Sequence, residues 1–368
     1  MMTDAAPAEP STFDFWLEYL HLQPDLAQWA TTFDRARINW RLDLCWQLLR
    51  EARRQATTPT ERAQVHFYEG LLHVHAGDWE RAASCYQTAQ AELPETAVDL
   101  RFSLLGERGM LARLQGDAET ALAFHQEQHA LAQAHDDLAG QAEAWDQQAM
   151  DYETLHQWRA AEQALQRALA LYEQLEDSEG LAGCHNRLGL LALRREKMTA
   201  ATEHLQRAQA LFTQLNRPFE LAQVEGNLGN LAYVSGAWET ADTHYRQALA
   251  RFTALGVVFD KIGILNNLGS IALAREAPDQ ARRFYQEGLA LARELGDRHE
   301  IRDLLINLGV VNLRQGRLDA AGARYAEALS LTREIGDRGG VWDLRRRQVR
   351  LWLLRGVRWL RRRLMGDA

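Results

Sequence analysis

Residues 226–256 read GNLGNLAYVSGAWETADTHYRQALARFTALG, and the same skeleton returns twice downstream at a spacing of 40. Asn227-Leu228-Gly229 becomes Asn267-Leu268-Gly269 and then Asn307-Leu308-Gly309. Twelve residues after each glycine stands Ala241, Ala281 or Ala321, and four further on Tyr245, Tyr285 or Tyr325. Leu228, Leu231 and Ala232 keep helical spacing before the break at Ser235-Gly236-Ala237, and Ala241, Tyr245, Ala248 and Leu249 keep it after, so one copy is a helix pair. Upstream the marker position is filled by Gly70, Gly109, Ala149 and Gly189, at intervals of 39 or 40. A fixed period of this length is the signature of a solenoid, in which each unit buries its apolar face only by stacking on its neighbours.

The punctuation agrees with that reading. Gly77-Asp78, Gly116-Asp117, Gly236 and Gly316 fall where the first helix must end in a left-handed residue. Gly256, Gly296 and Gly336, with Asn216 one unit earlier, fall where the second helix must end, and Asp297 with Glu300 is placed to form a capping box. Glycine at the marker lets two helices cross closely while an aromatic or leucine side chain fills what space remains. Substituting Gly229 is therefore expected to damage packing.

This pattern resembles the tetratricopeptide repeat, whose unit carries Leu-Gly in its first helix and Ala, an aromatic and Ala in its second. The 40-residue period is longer than the common 34, and Asn before Leu-Gly is similar to the long units of kinesin light chains, polarity adaptors and bacterial peptide-sensing regulators. The resemblance implies an all-α, right-handed α-α superhelix of about seven helix-pair repeats over residues 60–336. His125 in an aromatic slot, Leu165 and Leu205 in place of Tyr, and Ala149 in place of Gly mark divergent units. Leu42, Trp46 and Leu49 precede Ala82, Tyr86 and Ala89 by 40 residues, so 13–59 is expected to be a degenerate N-terminal helical cap. Residues 337–368 are its basic amphipathic C-terminal counterpart, and 1–12, MMTDAAPAEPST, are expected to be disordered.

The chain has 368 residues, 46% hydrophobic and 25% charged, ample for a large core, and one elongated repeat domain suits that length better than two globular ones. No stretch is long and apolar enough to span a bilayer, and a cytoplasmic location is expected. Cys45, Cys85 and Cys184 fall in separate units without metal-type spacing and read as small buried hydrophobes. Charge is uneven. Residues 341–368 hold nine arginines against Asp343 and Asp367, so this segment is +7 and the remainder −15 of a net −8. An acidic body with a basic end favours basic or polar partners on the body and anionic ones at the tail.

The candidate site is a column two residues before the marker: Gln147, Arg187, Asn227, Asn267 and Asn307, preceded by Tyr68 and Glu107. The resemblance implies that first helices line a concave groove, where an amide grips the backbone of a bound peptide with both donor and acceptor. The competing reading is that each Asn bonds the adjacent unit and holds the array together. Asn186, Asn266, Asn230, Tyr233, Arg194 and Arg314 lie nearby in the same register and add amides, an aromatic and two cations, suited to a peptide with an acidic group.

The tail places Val349, Leu353, Val357, Leu360 and Leu364 on one helical face, expected to cover the last repeat. Arg347, Arg350, Arg358, Arg361 and Arg362 stand on the remainder, and nucleic acid or anionic membrane is expected to bind, if at all, only there. His125 with His129, and His73 with His75, have no third ligand at matching spacing, so no metal or cofactor is expected. No nucleotide loop, nucleophile elbow or HExxH motif occurs. The function class that follows is a non-enzymatic scaffold binding a peptide segment of a partner protein. The alternatives are a peptide- or ligand-responsive sensor acting with a separate effector, and a membrane-peripheral adaptor held by the tail.

Overall fold

A computed structural model describes residues 42–365 and forms sixteen α-helices, with no strand among the described residues. The expected disordered segment 1–12 and the first part of the N-terminal cap, 13–41, lie outside the described residues. The chain divides into two compact bodies, one through Glu176 and one from Asp177. The N-terminal body holds α1 (Leu42–Gln55), α2 (Pro59–His75), α3 (Trp79–Glu92), α4 (Val98–Leu114), α5 (Ala118–Ala134), α6 (Leu138–Thr154) and α7 (Trp158–Gln174). The C-terminal body holds α8 (Ser178–Arg194), α9 (Met198–Gln214), α10 (Pro218–Val234), α11 (Trp238–Ala254), α12 (Phe259–Ala274), α13 (Pro278–Leu295), α14 (Arg298–Arg314), α15 (Leu318–Ile335) and α16 (Arg338–Met365). Seven consecutive pairs, α2/α3 to α14/α15, pack as units, and within each body successive units stack.

The marker glycines behave as their spacing requires. A Cβ on Gly229 would meet Tyr245 Cδ1 at 2.6 Å, on Gly269 Tyr285 Cε1 at 2.4 Å, and on Gly309 Tyr325 Cε1 at 2.3 Å. The rings are buried, so a side chain at the crossing has nowhere to go. In the divergent unit, Ala149 and Leu165 are both fully buried, a slightly larger residue on the first helix trading against a smaller one on the second. Helix ends also follow the sequence signals. Gly77, Gly116, Gly236, Gly256, Gly296, Gly316 and Gly336 have φ between 70° and 84°, and Asn216 has φ 52°. Asp136, His156, Glu176, Glu196 and Glu276 take the same left-handed turn without being glycine.

Two local expectations are corrected. Asp297 caps α14 by accepting from the backbone N–H groups of His299 and Glu300, at 2.9 and 3.1 Å, but Glu300 does not return the bond. The reciprocal box forms instead at Thr58 and Glu61 on α2. In α16 the buried stripe is Leu344 and Leu351, which join the core of the last unit, whereas Val349 and Leu353 are more than half exposed. Trp342 and Trp352 also stand in solvent, and the side chains of Val357, Leu360 and Leu364 lie outside the described residues.

Candidate functional site

In the C-terminal body the expected amide column forms a ladder between units. Asn227 Nδ2 donates to Asn186 Oδ1 at 2.9 Å, Asn267 to Asn230 at 3.1 Å and Asn307 to Asn266 at 2.7 Å. Each donor therefore reaches back to the first helix of the preceding unit, which is the competing structural reading. Asn230 Oδ1 also accepts from the buried Tyr245 hydroxyl at 2.6 Å, tying the ladder to the packing slot. All six amides are half-buried, and the Oδ1 atoms of Asn227, Asn267 and Asn307 make no hydrogen bond among the described residues. The arrangement thus offers a row of acceptors, where the sequence suggested donor and acceptor together.

Four of these residues, Asn186, Asn227, Asn230 and Asn267, share one cleft of 350 Å³ across α8, α10 and α12. Gln223 and Asp260 complete its polar wall, and Leu190, Phe252 and Ile264 its apolar wall. Asp260 escaped the sequence reading because it lies in the first turn of α12, far in register from the marker. The Asn266–Asn307 rung continues the row one unit further on. Arg187 lies half-buried on the same face, while Arg194 and Arg314 are exposed at the ends of α8 and α14. Tyr233 is not brought to the cleft: its ring meets Trp238 edge-on at 5.2 Å. Gln147 belongs to the N-terminal body, where its Oε1 accepts from Arg113 at 3.0 Å.

Of the tail arginines, Arg347 is bonded to Asp343 at 2.8 Å and to the Tyr325 hydroxyl, as part of the cap. Arg350 is exposed, and the side chains of Arg358, Arg361 and Arg362 lie outside the described residues. No helix among the described residues is long and apolar enough to cross a membrane.

Three polar clusters were not legible from spacing. Asp151, fully buried on α6, accepts from His125 Nδ1 at 2.5 Å and from Arg113 at 2.8 Å. Glu69, His73 and Cys85 bring their donor atoms within 4.8 Å of one another. Arg53 already bonds Glu69 at 2.5 Å, and burial beside that carboxylate pushes the Cys85 thiol up to about 11, so the cluster is an ion pair next to a neutral thiol. His185 on α8 faces His204 on α9, Nδ1 to Nδ1, at 2.9 Å.

Burial, with His204 and Arg207 adding like charge, lowers the His185 pKa from 6.5 to about 4. As pH falls, the unfolded chain takes up this proton first, so the stability is intact above 6.5 and is lost progressively toward 4. His185→Leu is expected to flatten the fall in melting temperature between about pH 7 and pH 4.5, measured by circular dichroism. Parallel curves for the two proteins would remove His185 from the acid response.

Comparison with known proteins fits this architecture. Residues 260–334, spanning α12 to α15, match the tetratricopeptide repeat family model. No curated protein sequence matches the chain. Among solved structures, a Rap protein complexed with Competence and Sporulation Factor superposes with a TM-score of 0.61 at 15% identity, over 89% of this chain and 98% of its own. The quorum sensor NprR from B. thuringiensis, in its apo form, gives 0.57 at 12% identity, over 91% and 99%. Aspartyl phosphate phosphatase F from Bacillus subtilis gives 0.55 at 13%, over 94% and 96%. At these identities the likeness is one of fold. With the family match over α12 to α15, the recurring Gly–Tyr crossing and the helix-pair register in agreement, the fold is that of a tetratricopeptide-repeat solenoid.

Proposed function

We propose that this protein is a non-enzymatic binding module that holds a peptide segment of a partner against the first helices of its C-terminal body. The observation that carries the reading is the acceptor row of Asn227, Asn267 and Asn307, spaced by one unit and open beside a preformed cleft. Backbone N–H groups of an extended peptide are the natural partners for such a row, because they are present in any sequence. Asp260 and Gln223 add side-chain selection at one end. Binding rather than catalysis is favoured because the His125–Asp151 pair is sealed at 0% exposure, where no substrate reaches it.

A sensor role, in which a peptide changes how the array meets a second protein, is favoured by one observation. Two of the fold's neighbours are named as a quorum sensor and as a protein complexed with a Competence and Sporulation Factor. Peptide recognition is common to both readings.

The test is the triple variant Asn227→Ala, Asn267→Ala, Asn307→Ala, screened with the wild type on an array of short peptides. Because each amide also bridges two units, the variant is expected to lose about 2–4 kcal/mol of stability, at roughly 1 kcal/mol per bond. Peptides retained by the wild type should be lost from the variant at temperatures where both are folded. Equal retention by the two proteins would make the ladder purely structural.

A further inference from the structure

α16 presents two apolar faces, and only one of them is covered. Leu344 and Leu351 stand 40 residues after Leu304 and Val311, and all four are buried, so α16 packs on the last unit as the first helix of a further unit would. By the same register Val349 stands where Gly309 does. Gly309 is met by Tyr325 of the second helix α15, whereas Val349 is 59% exposed. The difference lies in the turn. Gly316 breaks the chain between α14 and α15 with φ 70°, but Gly356, its counterpart 40 residues on, lies inside α16, which continues to Met365. Among the described residues no second helix folds back over this face.

Helical spacing puts Trp342, Val349 and Leu353 on one side, opposite Leu344 and Leu351, with Trp352 alongside. Trp342 is 62% and Trp352 71% exposed, and Leu353 is also more than half exposed. Single exposed hydrophobic residues are ordinary, but a contiguous patch with two tryptophans marks an interaction surface. Its rims are cationic. Arg345, Arg346 and Arg350 are exposed, Arg346 lies over the Trp342 ring at 4.5 Å, and the neighbouring carboxylate of Asp343 is taken by Arg347 at 2.8 Å. An apolar stripe between arginine rims fits a helix that is apolar on one side and acidic at its edges. A second copy of α16 would instead set arginine against arginine.

We propose that this face binds an acidic amphipathic helix of a partner protein, which takes the place that a second helix occupies in the seven upstream units. The surface goes beyond the amide cleft and stands whether or not the ladder binds peptide.

The experiment uses the full chain labelled with 5-fluorotryptophan, the ¹⁹F resonances of Trp342 and Trp352 being assigned by Trp342→Phe and Trp352→Phe. The probe is an 18-residue peptide, the length of α15, with leucines at helical spacing and glutamates elsewhere; a second peptide carries lysine in place of every glutamate. Both resonances are expected to shift saturably with the acidic peptide and about tenfold more weakly, or not at all, with the basic one. Val349→Asp, at an exposed position, should abolish the response, and Arg345→Glu/Arg350→Glu should remove the preference for the acidic peptide, while Val234→Asp at the exposed end of α10 should leave both intact. No shift with the acidic peptide, an equal response to the basic one, or an undiminished response in Val349→Asp would overturn the proposal. So would resonances that move with protein concentration alone, which would make the face a contact between copies, or with phosphatidylserine vesicles but neither peptide, which would make it a membrane surface.

Discussion

Gly269→Ala is expected to destabilise the C-terminal body by about 2 kcal/mol, and Gly269→Leu by more, although helix propensity alone favours alanine over glycine by about 1 kcal/mol. The reason lies at one crossing. A Cβ at this position would sit 2.4 Å from Tyr285 Cε1 and 2.7 Å from Cδ1 and Cζ, separations that atoms do not tolerate. Tyr285 cannot swing away: its ring is buried, and its hydroxyl lies 3.1 Å from Ser270 Oγ on the helix it crosses. The relief must come from α12 and α13 moving apart, which opens the core shared with the next unit. The remedy is written elsewhere in the chain, since Ala149 and Leu165 fill the same two positions in another unit. Gly269→Ala with Tyr285→Leu should therefore recover part of the loss. Thermal and urea melts followed by circular dichroism measure all three variants; a Gly269→Ala protein as stable as the wild type would refute the close-crossing account.

That pair also shows what a sequence can disclose. Gly269 and Tyr285 meet inside one repeat, so their relation recurs wherever the unit recurs and can be read from offsets alone. Helix ends were legible where glycine or Asn216 supplies the left-handed turn. They were silent at Asp136, His156, Glu176, Glu196 and Glu276, because these residue types are also common inside helices and do not mark a left-handed turn by identity alone. The amide ladder was half legible. Its column was plain, but the direction of each Nδ2 depends on which neighbour supplies an acceptor, and the partners are Asn186, Asn230 and Asn266 at separations of 41, 37 and 41 residues. In α16 the sequence reading chose the Val349 stripe, whereas the last unit covers Leu344 and Leu351.

Asp151→Ala is expected to cost about 3–5 kcal/mol, the loss that follows when a buried charge network is broken on one side. Asp151 has no exposure, and its two oxygens face His125 Nδ1 at 2.5 Å and Arg113 Nη1 at 2.8 Å; His125 is equally buried, and Gln148 Nε2 bonds its carbonyl at 3.1 Å. Removing the carboxylate strands an imidazole inside the body and leaves Arg113 with Gln147 alone. The departures at these positions are coupled. His125 stands where other units have Tyr or Leu, and Asp151 stands where Leu72, Leu111, Leu191, Leu231, Ile271 and Val311 fill the equivalent slot. The polar pair thus replaces an apolar pair that the same architecture accommodates elsewhere, and a well-packed apolar replacement of a buried charged group is often neutral or stabilising. His125→Tyr and Asp151→Leu should each be costly alone, while the double variant should approach or exceed wild-type stability, giving a coupling energy of at least about 1.5 kcal/mol in a double-mutant cycle. Denaturant melts of the four proteins decide the matter: additive losses would mean that the two residues are independent substitutions, whereas recovery in the double variant would establish them as one buried unit spanning two repeats.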